Sequence, residues 1–189
     1  YNNIAGELAG TLGATFTLAI GATGITQALG QQLAATPGLV MRLKTDTLRG
    51  TATTSNVLAE LPGKNAGNVV MAGAHLDSVQ AGPGINDNGS GSASLLEIAQ
   101  NMAKNKPQNT VRLAWWGAEE AGLVGSTEYV AGLSQAQKDR IALYLNFDMV
   151  ASPNYIFMVY DGDESGFEAP VIVPDGSVAI EDLFESYFT

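Results

Sequence analysis

Two hydrophobic periods trade places along most of the chain. Residues 69–74, Val-Val-Met-Ala-Gly-Ala, form a short unbroken apolar run, as a strand buried on both faces requires. Residues 111–116 and 143–147 carry similar runs and are read as strands. Between the first two, Leu95, Leu96, Ala99, Met102 and Ala103 fall on one helical stripe, which Pro107 brings to a stop. Thr26 stands where an N-cap would for a helix over 27–34, with Leu29 and Leu33 one turn apart. Ser134 and Gln137 have capping-box spacing and open a helix predicted to run to about residue 143. Ile180, Leu183, Phe184 and Tyr187 mark a last helix. Further strands are predicted over 40–47, 51–61 and 156–160, and Pro37-Gly38 and Pro62-Gly63 mark breaks. Strands alternating with helices predict an α/β sandwich around a largely parallel sheet.

Composition narrows the chemistry. The 189 residues correspond to about one domain, or one and a fraction. With no Cys, disulfides, thiolate nucleophiles, Cys-based zinc sites and iron–sulfur clusters are excluded together. One His excludes any site that takes two imidazoles from this chain. A net charge of -10 argues against nucleic acid and anionic membranes as partners. Twenty-two Gly is high against an average of about 7%, so tight turns and close backbone approaches are expected.

Charge also divides the chain. Residues 1–41 carry a single charged side chain, Glu7, and the first basic residue is Arg42. We therefore expect two units, 1–36 and 37–189, the first made of short β segments, Gly-rich turns and one helix. We expect no charged leader within these residues, and the apolar stretch 14–22 is far below the roughly 18 residues of a membrane span. The sequence opens mid-pattern at Tyr1-Asn2-Asn3, as a fragment or processed chain would.

Acidic residues gather just past the three apolar strands. The first strand ends in His75-Leu76-Asp77, the second precedes Glu119-Glu120, and the third precedes Asp148. Asp87 sits in the Gly-rich loop ahead of the amphipathic helix. Ligand sites of open α/β sheets form at such strand ends. Each piece has an ordinary alternative. His75 could be a plain polar residue and Asp77 a turn residue. Glu119-Glu120 could be acids favoured by a helix dipole, and 86–91 any Asn/Gly turn. Their conjunction is the stronger signal: converging carboxylates repel unless a cation joins them, and imidazole with carboxylate suits zinc. The His75-x-Asp77 spacing also suits a ligating imidazole that donates its other N–H to a carboxylate. Trp115-Trp116 is read as core and pocket wall.

Three blocks carry a family resemblance. They are Gly73-Ala74-His75-Leu76-Asp77-Ser78-Val79 with the loop Gly82-Pro83-Gly84-Ile85-Asn86-Asp87-Asn88-Gly89-Ser90-Gly91, then Ala114-Trp115-Trp116-Gly117-Ala118-Glu119-Glu120-Ala121-Gly122-Leu123-Val124-Gly125-Ser126, then Asn146-Phe147-Asp148-Met149. Over about residues 40–189 the chain resembles the secreted di-zinc aminopeptidases, the leucyl-aminopeptidase-like zinc exopeptidases. Residues 1–36 resemble the tail of a protease-associated domain. The resemblance implies a three-layer α/β/α sandwich with a mixed, mostly parallel sheet, incomplete at its C-terminal end.

It also implies roles. His75, Asp87, Glu120 and Asp148 look like metal ligands, with Asp87 bridging two zinc ions. Glu119 looks like the general base, and Asp77 like the carboxylate that orients His75. The Asp87-Asn88 peptide is a candidate for the cis form. The implied activity is removal of N-terminal, apolar residues from peptides or proteins by a secreted, monomeric enzyme with two Zn2+ per complete catalytic domain. Members of the family complete the second zinc with a second His, which this chain lacks. About 100 further residues are expected from typical domain size. The alternatives are a truncated, non-catalytic fragment with an incomplete metal site, an interaction role for the N-terminal part, and a carboxypeptidase or single-zinc cyclase on the same fold.

Overall fold

The computed structural model describes residues 21–46 and 50–188. The expectations for 1–20 lie outside the described residues. Helix α1, Gln27–Ala34, starts where Thr26 predicts: its Oγ1 accepts the Leu29 N–H at 3.3 Å.

The described residues fall into two compact units, with the boundary between Met149 and Val150. The first is built on four strands: β1 Val57–Leu61, β2 Asn65–His75, β3 Asn109–Trp116 and β4 Ile141–Asn146. Their order is β1-β3-β2-β4. β2 runs parallel to both neighbours, and β1 lies antiparallel to β3. The sheet is therefore mixed and mostly parallel. Its register sets His75 opposite Trp116 and Gly73 opposite Asn146, so β2, β3 and β4 all finish at one edge.

Side chains alternate across the sheet and fill a layer on each face. On one side Ala72, Ala74, Leu113 and Trp115 pack with fully buried Leu95 of α2, Gly89–Met102. On the other, Met71, Ala114 and Trp116 pack with Tyr129 of α3, Val124–Gly132, and with Ile141. This gives helix, sheet and helix in three layers. The two tryptophans are core, one to each face. Trp115 donates its indole N–H to the Ser92 carbonyl at 3.1 Å, and Trp116 to the Tyr144 hydroxyl at 2.7 Å. Gly73 is required between them, because a Cβ there would run into the Tyr144 hydroxyl and the Trp116 indole.

Several predicted elements differ. The Ser134–Gln137 capping box is present, but its helix, α4, spans only Gln135–Lys138, and by Ile141 the chain is already pairing with β2. Helix α3 lacks a prediction. Residues 40–46 and 50–56 are not strand, and neither is 156–160. Val40, Met41, Ile156 and Met158 are all exposed. A strand needs a neighbour for its main-chain groups, and an apolar pattern alone does not supply one.

The second unit carries α5, Ser177–Phe188, as the apolar positions predict. Phe188 stacks on Phe157 at 4.4 Å between ring centroids. The Asp161 carboxylate caps the following turn, accepting main-chain N–H groups of Ser165, Gly166 and Phe167. No helix among the described residues is long and apolar enough to cross a membrane.

Candidate metal centre

The edge where β2, β3 and β4 finish holds every residue the sequence nominated. His75 is the last residue of β2 and is 3% exposed. Its Nε2 lies 3.0 Å from Asp87 Oδ1, 3.5 Å from Asp148 Oδ2 and 4.0 Å from Glu119 Oε2. One ligand atom each from His75, Asp87 and Glu120 fall within 4.8 Å of one another.

The imidazole tautomer follows from its surroundings. Nδ1 lies 2.9 Å from the main-chain carbonyl of Asp77, which only accepts, so Nδ1 carries the proton. That leaves the Nε2 lone pair facing three carboxylates. Among the described residues no Lys or Arg pairs with Asp77, Asp87, Glu119, Glu120 or Asp148. Without a metal, a proton on Nε2 is what relieves this repulsion. Burial opposes the charged imidazole, but Asp148, Glu119, the Asp77 carbonyl and Asp87 outweigh it, and the His75 pKa stands above 6.5. Burial also raises the Glu119 carboxyl above its ordinary range. Glu120, Asp148 and Asp77 push the same way, and His75 opposes them.

Glu120 supplies the test of whether a metal fits. Its Oε1 is buried and has no hydrogen-bond partner. A buried carboxylate oxygen left unpaired is costly, and a cation would satisfy it. An imidazole nitrogen and several carboxylate oxygens, with no donor among them, form a donor set that suits zinc.

The backbone holds these side chains through contacts the sequence did not reveal. Asp87 precedes Asn88, the N-cap of α2, and the peptide between them is cis, as the resemblance implies. Asn88 is fully buried. It accepts the Gly91 N–H at 2.9 Å and donates to the Phe147 carbonyl at 2.9 Å, which ties the Asp87 loop to the chain just ahead of Asp148. Gly91 must stay bare there, since a Cβ would strike the Phe147 carbonyl and the Asn88 side chain. Ser92 Oγ donates to the His75 carbonyl at 2.8 Å. Asn56 bridges the ends of the next loop, accepting from Gly117 N–H at 3.0 Å and donating to the Gly125 carbonyl at 2.8 Å.

Two readings become specific in the structure. Glu119-Glu120 do not lie in a helical first turn; they sit in the turn between β3 and α3. Asp77 holds the His75 ring by its main-chain carbonyl, 2.9 Å from Nδ1, with its carboxylate Oδ1 farther off at 3.7 Å. The carboxylate is turned to the neighbouring loop, where it accepts the main-chain N–H of Glu119 at 2.9 Å and of Glu120 at 3.0 Å. Ala118 and Leu123 flank that pair with φ of 56° and 59°, the left-handed region. Such a conformation costs roughly 1–2 kcal/mol per non-glycine residue. Hydrogen bonds to a charged acceptor are worth about 1.5–3 kcal/mol each, enough to offset it.

Comparison with known proteins shows what the chain is similar to. The model described as "Peptidase family M28" matches residues 56–188. A protein of Pseudomonas aeruginosa named "Aminopeptidase" is 58% identical over 153 residues, covering 81% of this chain and 28% of its own length. "Leucine aminopeptidase 2" of Trichophyton rubrum is 46% identical over 191 residues, covering all of this chain and 38% of its own. Among solved structures, a zinc aminopeptidase from Bacillus subtilis is 39% identical, with a TM-score of 0.48, over 50% of this chain and 24% of its own. The chain thus spans well under half the length of the relatives it matches.

Proposed function

The chain belongs to peptidase family M28, and we propose that it carries the metal-binding edge of a zinc-dependent aminopeptidase. The observation that carries the reading is the convergence of His75, Asp87, Glu119, Glu120 and Asp148 at one sheet edge, with the buried Glu120 Oε1 unpaired. His75, Asp87, Glu120 and Asp148 would hold zinc, two ions in the complete site. Bound zinc supplies Lewis acidity toward a carbonyl oxygen and acidifies water near neutral pH.

The residues of this chain perform the rest. Glu119, whose burial favours the protonated form, takes a proton from water and returns it to the departing amine. The Asp77 carbonyl keeps the His75 proton on Nδ1, so Nε2 remains a ligand. The carboxylate-rich edge attracts the free α-ammonium group of a peptide, which favours cleavage at the N-terminus. Asn88 and Asn56 hold the loops that present Asp87 and the Glu119–Glu120 pair. We read the substrates as peptide or protein N-termini with an apolar first residue, and the enzyme as a secreted monomer.

The test is a substrate panel on the whole protein. It should hydrolyse a leucine anilide, leave the N-acetylated anilide intact, and lose this activity on zinc chelation. Equal cleavage of both anilides, or cleavage only of C-terminal residues, would overturn the aminopeptidase reading.

A further inference from the structure

The Glu119–Glu120 pair lies outside every helix and strand, in a turn between β3 and α3. The bend is held open by left-handed residues at Ala118 and Leu123. Asn56 ties its two ends, Gly117 and Gly125, but does not reach the acids between them. Main-chain bonds close the turn itself, the Glu119 carbonyl accepting the N–H of Gly122 at 2.8 Å and of Leu123 at 2.7 Å; the Asp77 side chain ties that closed turn to the end of β2. Its Oδ1 takes the Glu119 N–H at 2.9 Å and its Oδ2 takes the Glu120 N–H at 3.0 Å.

From this we infer that Asp77 is a positioning residue for Glu119 and Glu120, its carboxylate bonded to both of their main-chain N–H groups while it stands 3.7 Å from His75 Nδ1. One carboxylate takes two successive main-chain N–H groups and so pins the turn to the chain just past β2. Without that anchor the turn could shift as a body, carrying both side chains away from His75. The grip therefore holds the proposed base toward His75 Nε2 while it holds Glu120 Oε1 inside the protein. His75 keeps its own anchor, because Nδ1 bonds the main-chain carbonyl of Asp77, which no side-chain substitution removes.

Asp77→Asn tests this. An amide has one accepting oxygen, and its NH2 would face the second main-chain N–H. The effect on the main chain stands by itself, whereas the effect on turnover rests on the peptidase reading above. Hydrogen exchange on the whole protein, zinc-free and zinc-loaded, reads the first. Wild-type amides of Glu119 and Glu120 should be protected, and Asp77→Asn should expose both while those of β2 and β3 stay protected. The His75 ring N–H should keep its resonance. Turnover should fall ~10–100-fold, the range for groups that support metal sites, with KM little changed. Unaltered exchange at Glu119 and Glu120 in the variant overturns the inference, as does full turnover once their protection is lost. If the variant fails to fold, the wild-type amides decide: bulk-rate exchange there overturns it, and protection upholds it. An inactive wild-type protein would overturn the peptidase reading and leave the exchange result standing.

Discussion

His75 donates its Nδ1 proton to the main-chain carbonyl of Asp77 at 2.9 Å, and that bond decides which ring nitrogen faces the acids. Because a carbonyl accepts and cannot donate, Nε2 is left as a lone pair among Asp87, Asp148 and Glu119. Proton and zinc then compete for one position.

This competition has a pH signature. The folded pKa of His75 is raised above 6.5, since the nearby acids and the Asp77 carbonyl outweigh its burial. A raised folded value means that the protonated imidazole stabilises the zinc-free protein fully below its ordinary pKa. That contribution is lost as pH rises through the folded value. Zinc affinity should run the other way and fall as pH drops through the same value. Thermal melting of the zinc-free protein between pH 5 and 9, compared with His75→Gln, isolates the first effect. Zinc titration at each pH reads the second.

Asp87→Ala should cost metal. Asp87 Oδ1 is the carboxylate oxygen nearest His75 Nε2, at 3.0 Å. Zinc content measured after dialysis should drop in this variant. Retention of the full complement would remove Asp87 from the ligand set.

At Leu95 the prediction concerns the scaffold. Its side chain is fully buried between α2 and the sheet, against Ala72, Leu113 and Trp115. Leu95→Ala should destabilise by about 2–5 kcal/mol, with the spread set by how far the cavity collapses. Chemical denaturation measures it.

Tyr144 makes an alkaline prediction. Its hydroxyl accepts the Trp116 indole N–H at 2.7 Å and donates to Asn146 Oδ1 at 2.7 Å. Burial raises its pKa above 10.0, and the Trp116 bond offsets this only in part. The neutral phenol therefore stabilises the fold below its ordinary pKa, and this is lost as pH climbs through the raised value. In Tyr144→Phe the alkaline loss should shrink, while stability at neutral pH falls by about 1–3 kcal/mol because the indole N–H loses its partner. Melting curves from pH 7 to 11 would show both.

What the sequence disclosed was local. Thr26 announced α1 because a cap acts within one turn, and the apolar runs announced β2 and β3 because both faces of the sheet are covered. The acids proposed for the metal site were legible because each stands just past a strand or just before a helix. Helix α3 was hidden: it begins with two Gly within its neighbourhood, Gly122 and Gly125, and Leu123 ahead of it makes no side-chain cap bond. Of the strands expected over 40–47 and 156–160, residues 40–46 and 156–160 are not strand because pairing is a property of two segments, and these residues have no ladder partner among the described ones. Asn56 and Asn88 were missed because their partners lie 59 to 69 residues away. The bonds of the Asp77 carboxylate to the Glu119 and Glu120 N–H groups were hidden for the same reason, since those partners are 42 and 43 residues downstream.

The central claim is that Glu119 is the base beside a zinc site built by its neighbours. Glu119→Gln in the whole protein tests it most directly, with zinc content and leucine-anilide turnover measured on the same sample. The substitution keeps the side chain's size and leaves the main-chain N–H on Asp77 in place. Zinc should be retained, and turnover should fall by ~10²–10⁴-fold, the usual contribution of general acid–base catalysis. Turnover at the wild-type rate with zinc bound would contradict the account.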